Sequence, residues 1–82
     1  MTGHDVFEAV KMRILSMKDI EADKISMGVS FKNLNFDSLD YVEIQVFILD
    51  LYRVNISEEL FIRHEISTLE QLVNYVVSEI SQ

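Results

Sequence analysis

The sequence contains no cysteine, proline or tryptophan, and only two of its 82 residues are glycine. Without cysteine, the chain can form no disulfide, no cysteine-ligated zinc site and no thiol nucleophile. Without proline, no predicted helix is interrupted by a residue that lacks a backbone N–H donor.

Long apolar runs are also missing, although 49% of the residues are hydrophobic and 26% are charged. That balance is typical of a folded chain, and no stretch approaches the roughly 18 apolar residues that a membrane span requires. Residues 1–5 lack the basic region and apolar core of a secretory signal. We therefore expect one domain over residues 1–82, a cytoplasmic location and no membrane span.

Metal-binding patterns are weak as well. His4 and His64 are too far apart in sequence to indicate a local pair of ligands. The alternation of Asp19, Glu21 and Asp23 begins like a calcium loop, but the glycine and the final glutamate of such a loop are missing. We expect no metal site.

Basic residues are scarce: seven lysines and arginines stand against 14 acids, for a net charge of −7. Residues 1–32 contain five bases and five acids, so the excess lies in residues 33–82, with two bases against nine acids. Such a field repels nucleic-acid phosphates and attracts basic partner surfaces. No nucleic-acid partner is expected. The alternative is that the acidity only maintains solubility.

Hydrophobic periodicity predicts three main helices and one short helix. The main helices are expected at residues 5–18, 38–52 and 68–80, with a short helix after Ser57. Residues 19–36 follow neither a helical nor a strand period and predict a long loop that apolar side chains anchor. The expected fold is an all-α four-helix bundle with this loop between helices one and two.

Capping signals predict where the helices begin and end. Asp5, followed three residues later by Glu8, has the pattern of a capping box, and so does Ser67 followed by Glu70. Residues 54–55 are expected to end helix two and turn the chain.

Helix two is apolar on more than one side, since ten of the fourteen residues 39–52 are apolar or tyrosine. One line is expected to face the core: Ile44, Phe47, Ile48 and Leu51. A second line, which we call the apolar line, is a candidate partner surface: Leu39, Val42, Val46 and Leu49. The alternative is that a small bundle buries both lines.

Helix two begins at Asp37-Ser38-Leu39-Asp40, a serine between two carboxylates. Asp37 is a strong N-cap residue, and Asp40 is placed to complete a capping box. At the first helical position, the Ser38 hydroxyl is not needed by the backbone and can face solvent, as covalent modification requires. The alternative is that Ser38 is only part of the helix start.

In context, this motif resembles the attachment region of acyl carrier proteins, and the resemblance spans about residues 5–80. The residues that carry it are Phe31, Leu34, Asp37, Ser38, Leu39, Asp40, Val42, Glu43 and Ile44. Carrier proteins usually have glycine two residues before the aspartate, where this chain has Asn35. Asparagine tolerates left-handed backbone best after glycine, so the turn can survive the change.

The resemblance implies that Ser38, flanked by Asp37 and Leu39, receives a covalent 4′-phosphopantetheine arm from coenzyme A. The arm would hold acyl or aminoacyl groups as thioesters, and the protein, expected to be a monomer, would itself catalyse nothing. Implied partners are a phosphopantetheinyl transferase, a cargo-loading enzyme, and tailoring or condensing enzymes. The expected docking residues lie on helix two and the short helix: Asp40, Val42, Glu43, Val46, Leu49, Asp50, Glu58 and Glu59.

The motif resembles acyl rather than peptidyl carriers, and helix two is less acidic than in typical fatty-acid carriers. Both features favour a polyketide or mixed polyketide and nonribosomal peptide route. A primary fatty-acid carrier and a D-alanyl carrier are alternatives within the family. From other classes, the alternatives are an unmodified helical adaptor that binds through helix two and, least favoured, a hydrolase built on Ser38, since neither histidine lies in a motif that suggests a base.

Overall fold

A computed structural model describes residues 2–81, and the main elements in that range are helices. They are α1 (Gly3–Met17), α2 (Ser38–Tyr52), α3 (Glu58–Ile62) and α4 (Leu69–Ile80). This order confirms the predicted all-α bundle of three main helices and one short helix, with the long loop between the first two. Within residues 2–81, no helix has the length and apolar character needed to cross a bilayer.

α1 begins earlier than predicted. Thr2 is the N-cap: its hydroxyl accepts the Asp5 backbone N–H at 3.2 Å, and the Asp5 carboxylate accepts the Thr2 N–H at 3.3 Å. The predicted cap at Asp5 is therefore wrong, because Asp5 is the third helical residue of a capping box that starts one turn upstream. α1 also ends one residue early, with Lys18 as its C-cap.

α4 likewise has a capping box, displaced by one residue from the predicted one. Thr68, not Ser67, is the N-cap, and Gln71, not Glu70, closes the box by accepting the Thr68 N–H at 3.1 Å. The Gln71 side-chain oxygen also accepts the Ser67 N–H at 2.7 Å, so the glutamine, not Glu70, satisfies the N–H groups at the helix start. The buried residues of α4 are Leu69, Leu72, Val73 and Val76.

The core lies mainly between α1 and α4, which pack against each other along their apolar faces. α1 contributes Val6, Val10 and Ile14, which recur at helical spacing. α2 adds a narrower contact through Ile44 and Ile48.

The predicted core face of α2 is correct at Ile44 and Ile48 and wrong at Leu51, which is 53% exposed. Phe47 is only partly buried, under the guanidinium of Arg13 at 5.5 Å from the ring centre. The buried stripe continues from Ile48 to the half-buried Tyr52, four residues on, so Leu51 rotates towards solvent.

The long loop is anchored as predicted and contains one unpredicted turn of 3-10 helix at Ala22–Lys24. Its buried anchors are Ile25, Phe31 and Leu34. Loop carbonyls also accept hydrogen bonds from the first N–H groups of α4: Val29 from Leu69 at 3.0 Å, and Met27 from Glu70 at 2.8 Å. Because the first N–H groups of a helix have no partner within it, these contacts hold the loop against the start of α4.

α2 ends at Tyr52 because Arg53 adopts left-handed backbone, with φ of 60°. The Arg53 N–H donates to the Leu49 carbonyl at 3.0 Å and closes the last turn. The turn predicted at residues 54–55 therefore starts one residue earlier. Val54 and Ile56 are buried and bring the chain back onto the core.

Candidate functional site

Ser38 is the first residue of α2 and is exposed. The predicted capping box encloses it: Asp37 Oδ1 accepts the Asp40 N–H and Asp40 Oδ2 accepts the Asp37 N–H, both at 3.0 Å. Among residues 2–81, no side-chain hydrogen bond engages the Ser38 hydroxyl. The two aspartates cap the helix start, so the Ser38 hydroxyl has no part in capping.

The turn before the serine has the backbone that the sequence suggested. Asn35 has φ of 57°, in the left-handed region that favours glycine and next asparagine. The Asn35 N–H donates to the Lys32 carbonyl at 3.0 Å, and the Phe36 N–H donates to the Phe31 carbonyl at 3.1 Å. Asparagine therefore occupies the glycine position of the resembled motif and keeps the turn.

Lys18 is part of this site, which the sequence did not indicate. Its ammonium donates to Asp40 Oδ2 at 2.8 Å and to the Asn35 carbonyl at 3.1 Å, and it lies 5.7 Å from the centre of the Phe36 ring. The side chains of Lys18 and Asp40 are only 19% and 16% exposed. From the sequence, Lys18 is just a basic residue at the end of a helix. Asp40 lies 22 positions further along the chain, and the path of the long loop between them decides the contact.

The pKa of Asp40 reflects these neighbours. Burial by itself raises the pKa of this carboxyl group, but the hydrogen bond from Lys18, the Asp37 N–H and the Lys18 charge together outweigh burial. The net result is a pKa below the ordinary aspartate value. Asp40 is therefore ionised at neutral pH and engaged inside the fold, although it was predicted as a docking residue.

A cleft of about 550 Å³ opens beside Ser38. α2 contributes Ser38, Tyr41 and Val42 to its wall, and the α3 region contributes residues from the opposite side: Phe61, Ile62 and His64. Phe61, Ile62 and His64 were not among the predicted site residues, because their position beside the serine depends on how the turn after α2 folds back.

Four aromatic rings pack together beneath the cleft: Phe31, Phe36, Tyr41 and Phe61. The Tyr41 and Phe61 ring centres are 4.8 Å apart, and those of Phe31 and Phe36 are 5.0 Å apart. Burial, with a smaller effect of the Asp40 charge, raises the pKa of Tyr41 above the ordinary tyrosine value. The rings give the cleft a rigid apolar floor.

All four residues of the apolar line of α2 are exposed, from Leu39 at 77% to Leu49 at 43%. The alternative that a small bundle buries both lines of α2 is therefore wrong. Ile62 of α3, 64% exposed, lies across the cleft from Val42 and widens this surface. Side chains of this size on one helix form a contiguous surface of the kind used in protein contacts.

The acids predicted to dock partners differ in their engagement. Glu43 receives a hydrogen bond from Arg13 at 2.6 Å, and Glu59 lies 3.6 Å from Arg63 in a pair whose side chains are both 69% exposed. Asp50 and Glu58 are exposed, and the described residues include no ion-pair partner for either. The unpaired acids among these predicted docking residues therefore lie near the C-terminal end of α2, at Asp50, and on α3, at Glu58.

His64 lines the same cleft as Ser38, although no sequence motif linked the two residues. Its backbone is left-handed, with φ of 62°. Within residues 2–81 no hydrogen bond joins the His64 ring to the Ser38 hydroxyl. A serine hydrolase needs that nucleophile–base contact, so the geometry gives the hydrolase alternative no direct support.

No protein-family model matches the chain. In the described range, residues 2–81, no group of three or more histidine and carboxylate side chains is arranged to hold a metal ion.

Proposed function

We propose that this protein is an acyl carrier protein in which Ser38 bears a 4′-phosphopantetheine arm. The observation that carries the proposal is the state of the Ser38 hydroxyl: exposed at the first position of α2, engaged by no side-chain hydrogen bond within residues 2–81, and flanked by two aspartates that cap the helix in its place. A serine that served as the cap would have its oxygen occupied by the backbone.

The modification is a group transfer from coenzyme A. Ser38 Oγ forms a bond to the β-phosphorus, the phosphoanhydride bond of coenzyme A breaks, adenosine 3′,5′-bisphosphate leaves, and the transferase takes up the hydroxyl proton. The arm ends in a thiol, which the chain itself lacks. Tethered cargo then meets each partner's active site at the high effective concentration that a short flexible linker provides.

The docking surface that fits this role is the apolar line of α2, Leu39, Val42, Val46 and Leu49, which begins next to the serine. Asp50, Glu58 and Glu59 add negative charge at its edges and favour partners with basic contact surfaces. Asp40 and Glu43 face bases of α1, so we assign them chiefly to holding α2 in place. A surface in which apolar contact outweighs charge favours a small set of dedicated partners.

The partners would be a phosphopantetheinyl transferase, a cargo-loading enzyme, and tailoring or condensing enzymes of a polyketide or mixed polyketide and nonribosomal peptide route in the cytoplasm. The protein would be a carrier without catalytic activity of its own. The exposed apolar line also suits the second candidate, an unmodified helical adaptor. The two functions differ in whether Ser38 accepts an arm.

The experiment that tests the proposal is the intact mass of the protein after incubation with coenzyme A and a broad-specificity phosphopantetheinyl transferase. Ser38→Ala is the test variant. Ser57→Ala is the matched control, since Ser57 is also an exposed serine at a helix start. We expect one phosphopantetheine on the parent and on Ser57→Ala and none on Ser38→Ala. A folded parent that gains no mass with two different transferases would favour the adaptor.

A further inference from the structure

Lys18 contacts the serine segment on both sides of Ser38. Its ammonium binds the Asn35 carbonyl, three residues before the serine, and the Asp40 carboxylate, two residues after it. It also lies over the ring of Phe36. One side chain, fixed at the C-terminal end of α1, thus joins the left-handed turn to the first turn of α2.

These contacts are unlike a surface ion pair. Exposed pairs such as Arg63 with Glu59 are screened by water and contribute little to stability. Lys18 and Asp40 are each more than four-fifths buried at the side chain, and the carboxylate also accepts the Asp37 N–H. Removing the ammonium would leave a buried carboxylate with one partner fewer and the Asn35 carbonyl without its donor.

We propose that Lys18 is a positioning residue for the modification of Ser38. By joining Asn35 to Asp40, Lys18 keeps the backbone around Ser38 in the geometry that a transferase binds. The inference rests on the proposed carrier function. Without the ammonium, the three residues before the serine lose their hydrogen bond to Lys18 and sample more conformations. The transferase must then reorder them on binding, so the cost falls on KM rather than on the chemical step.

The test is steady-state phosphopantetheinyl transfer from coenzyme A to the full chain, comparing the parent with Lys18→Met. We expect KM for the protein to rise about tenfold, the factor that corresponds to reordering roughly one residue's backbone, with kcat within about twofold of the parent. Lys11→Met is the matched control, because it removes the same charge from the same helix at a lysine that lies over Phe7, away from the serine.

Asp40→Asn separates positioning from capping, because the amide oxygen can still accept the Asp37 N–H while the charged partner of Lys18 is lost. We expect Asp40→Asn to raise KM as Lys18→Met does, and the double variant to be no worse than either single one, since both remove the same ion pair. If Lys18→Met does not fold, Asp40→Asn alone carries the test.

Two results would overturn the positioning role: a KM for folded Lys18→Met, or for Asp40→Asn, within twofold of the parent, or an equal rise in Lys11→Met, which would indicate a general charge effect. Both leave the carrier function standing. A parent that accepts no arm would instead overturn the carrier function itself.

Discussion

Ile48 and Leu49 are neighbours in the chain with opposite surroundings, and their substitutions should separate folding from partner binding. Ile48 is fully buried and Leu49 is 43% exposed. Ile48→Ala removes buried carbon and leaves a cavity, at a cost of about 3 kcal/mol. In a domain of this size, each 1 kcal/mol lowers Tm by roughly 4–8 °C, so Tm should fall by roughly 12–24 °C.

Leu49→Ala loses only part of a leucine's burial and leaves no enclosed cavity, so about 1 kcal/mol is expected. Leu49→Glu should likewise keep the fold, but it places a charge in the apolar line. If that line binds the transferase, Leu49→Glu should raise KM about tenfold, as expected for losing a residue worth about 1.4 kcal/mol at an interface.

Thermal and urea unfolding followed by circular dichroism measure the first effect, and transferase kinetics measure the second. Ile48→Val is the folded control for the kinetics, since it loosens the core by about 1 kcal/mol without touching the surface. Two results would refute the assignment of faces: a loss of stability for Leu49→Ala equal to that for Ile48→Ala, or an unchanged KM for folded Leu49→Glu.

Two further predictions concern the turn and the acid side of the stability curve. The pKa of Asp40 is lower in the folded protein than in the unfolded chain, so its contribution is complete above the unfolded pKa of about 3.9 and is lost as pH falls through the folded pKa. The free energy of unfolding, measured with urea from pH 6 to pH 2, should therefore decline less steeply in Asp40→Asn than in the parent. Identical slopes in the two proteins would contradict the lowered pKa of Asp40. At Asn35, where φ is 57°, a β-branched residue is strained. Asn35→Val should therefore lower the free energy of unfolding by about 1–2 kcal/mol, whereas Asn35→Gly should leave it unchanged or raise it slightly. Equal unfolding midpoints for the two variants would refute the strain.

The features that were predictable from the sequence are those encoded by neighbouring residues. The capping box of Asp37 and Asp40 and the left-handed turn at Asn35 each depend on a few consecutive side chains, so local chemistry sufficed. The exposed apolar line was also predictable as a candidate, because ten apolar or tyrosine residues in fourteen exceed what one buried stripe can use. The sequence could not decide that this line is exposed, because its exposure depends on α1 and α4 forming most of the core.

The features that were missed depend on competing local signals or on the path of the chain. At the starts of α1 and α4 two overlapping capping boxes were possible, and the structure uses the boxes that begin at Thr2 and at Thr68. Leu51 was assigned to the core because helical spacing alone cannot choose between it and Tyr52. Lys18 and His64 reach the site only through the long loop and the turn after α2, and no local pattern marks either residue.

The central claim is most directly tested by counting thiols, because the chain contains no cysteine and the only thiol it can carry is that of the arm. The protein would be treated with coenzyme A and a phosphopantetheinyl transferase, freed of small molecules, and titrated with a colorimetric disulfide reagent. One thiol per chain on the parent, and none on Ser38→Ala or on the untreated parent, is the predicted result. A folded parent that carries no thiol after treatment with two different transferases, or a Ser38→Ala variant that carries one, would contradict it.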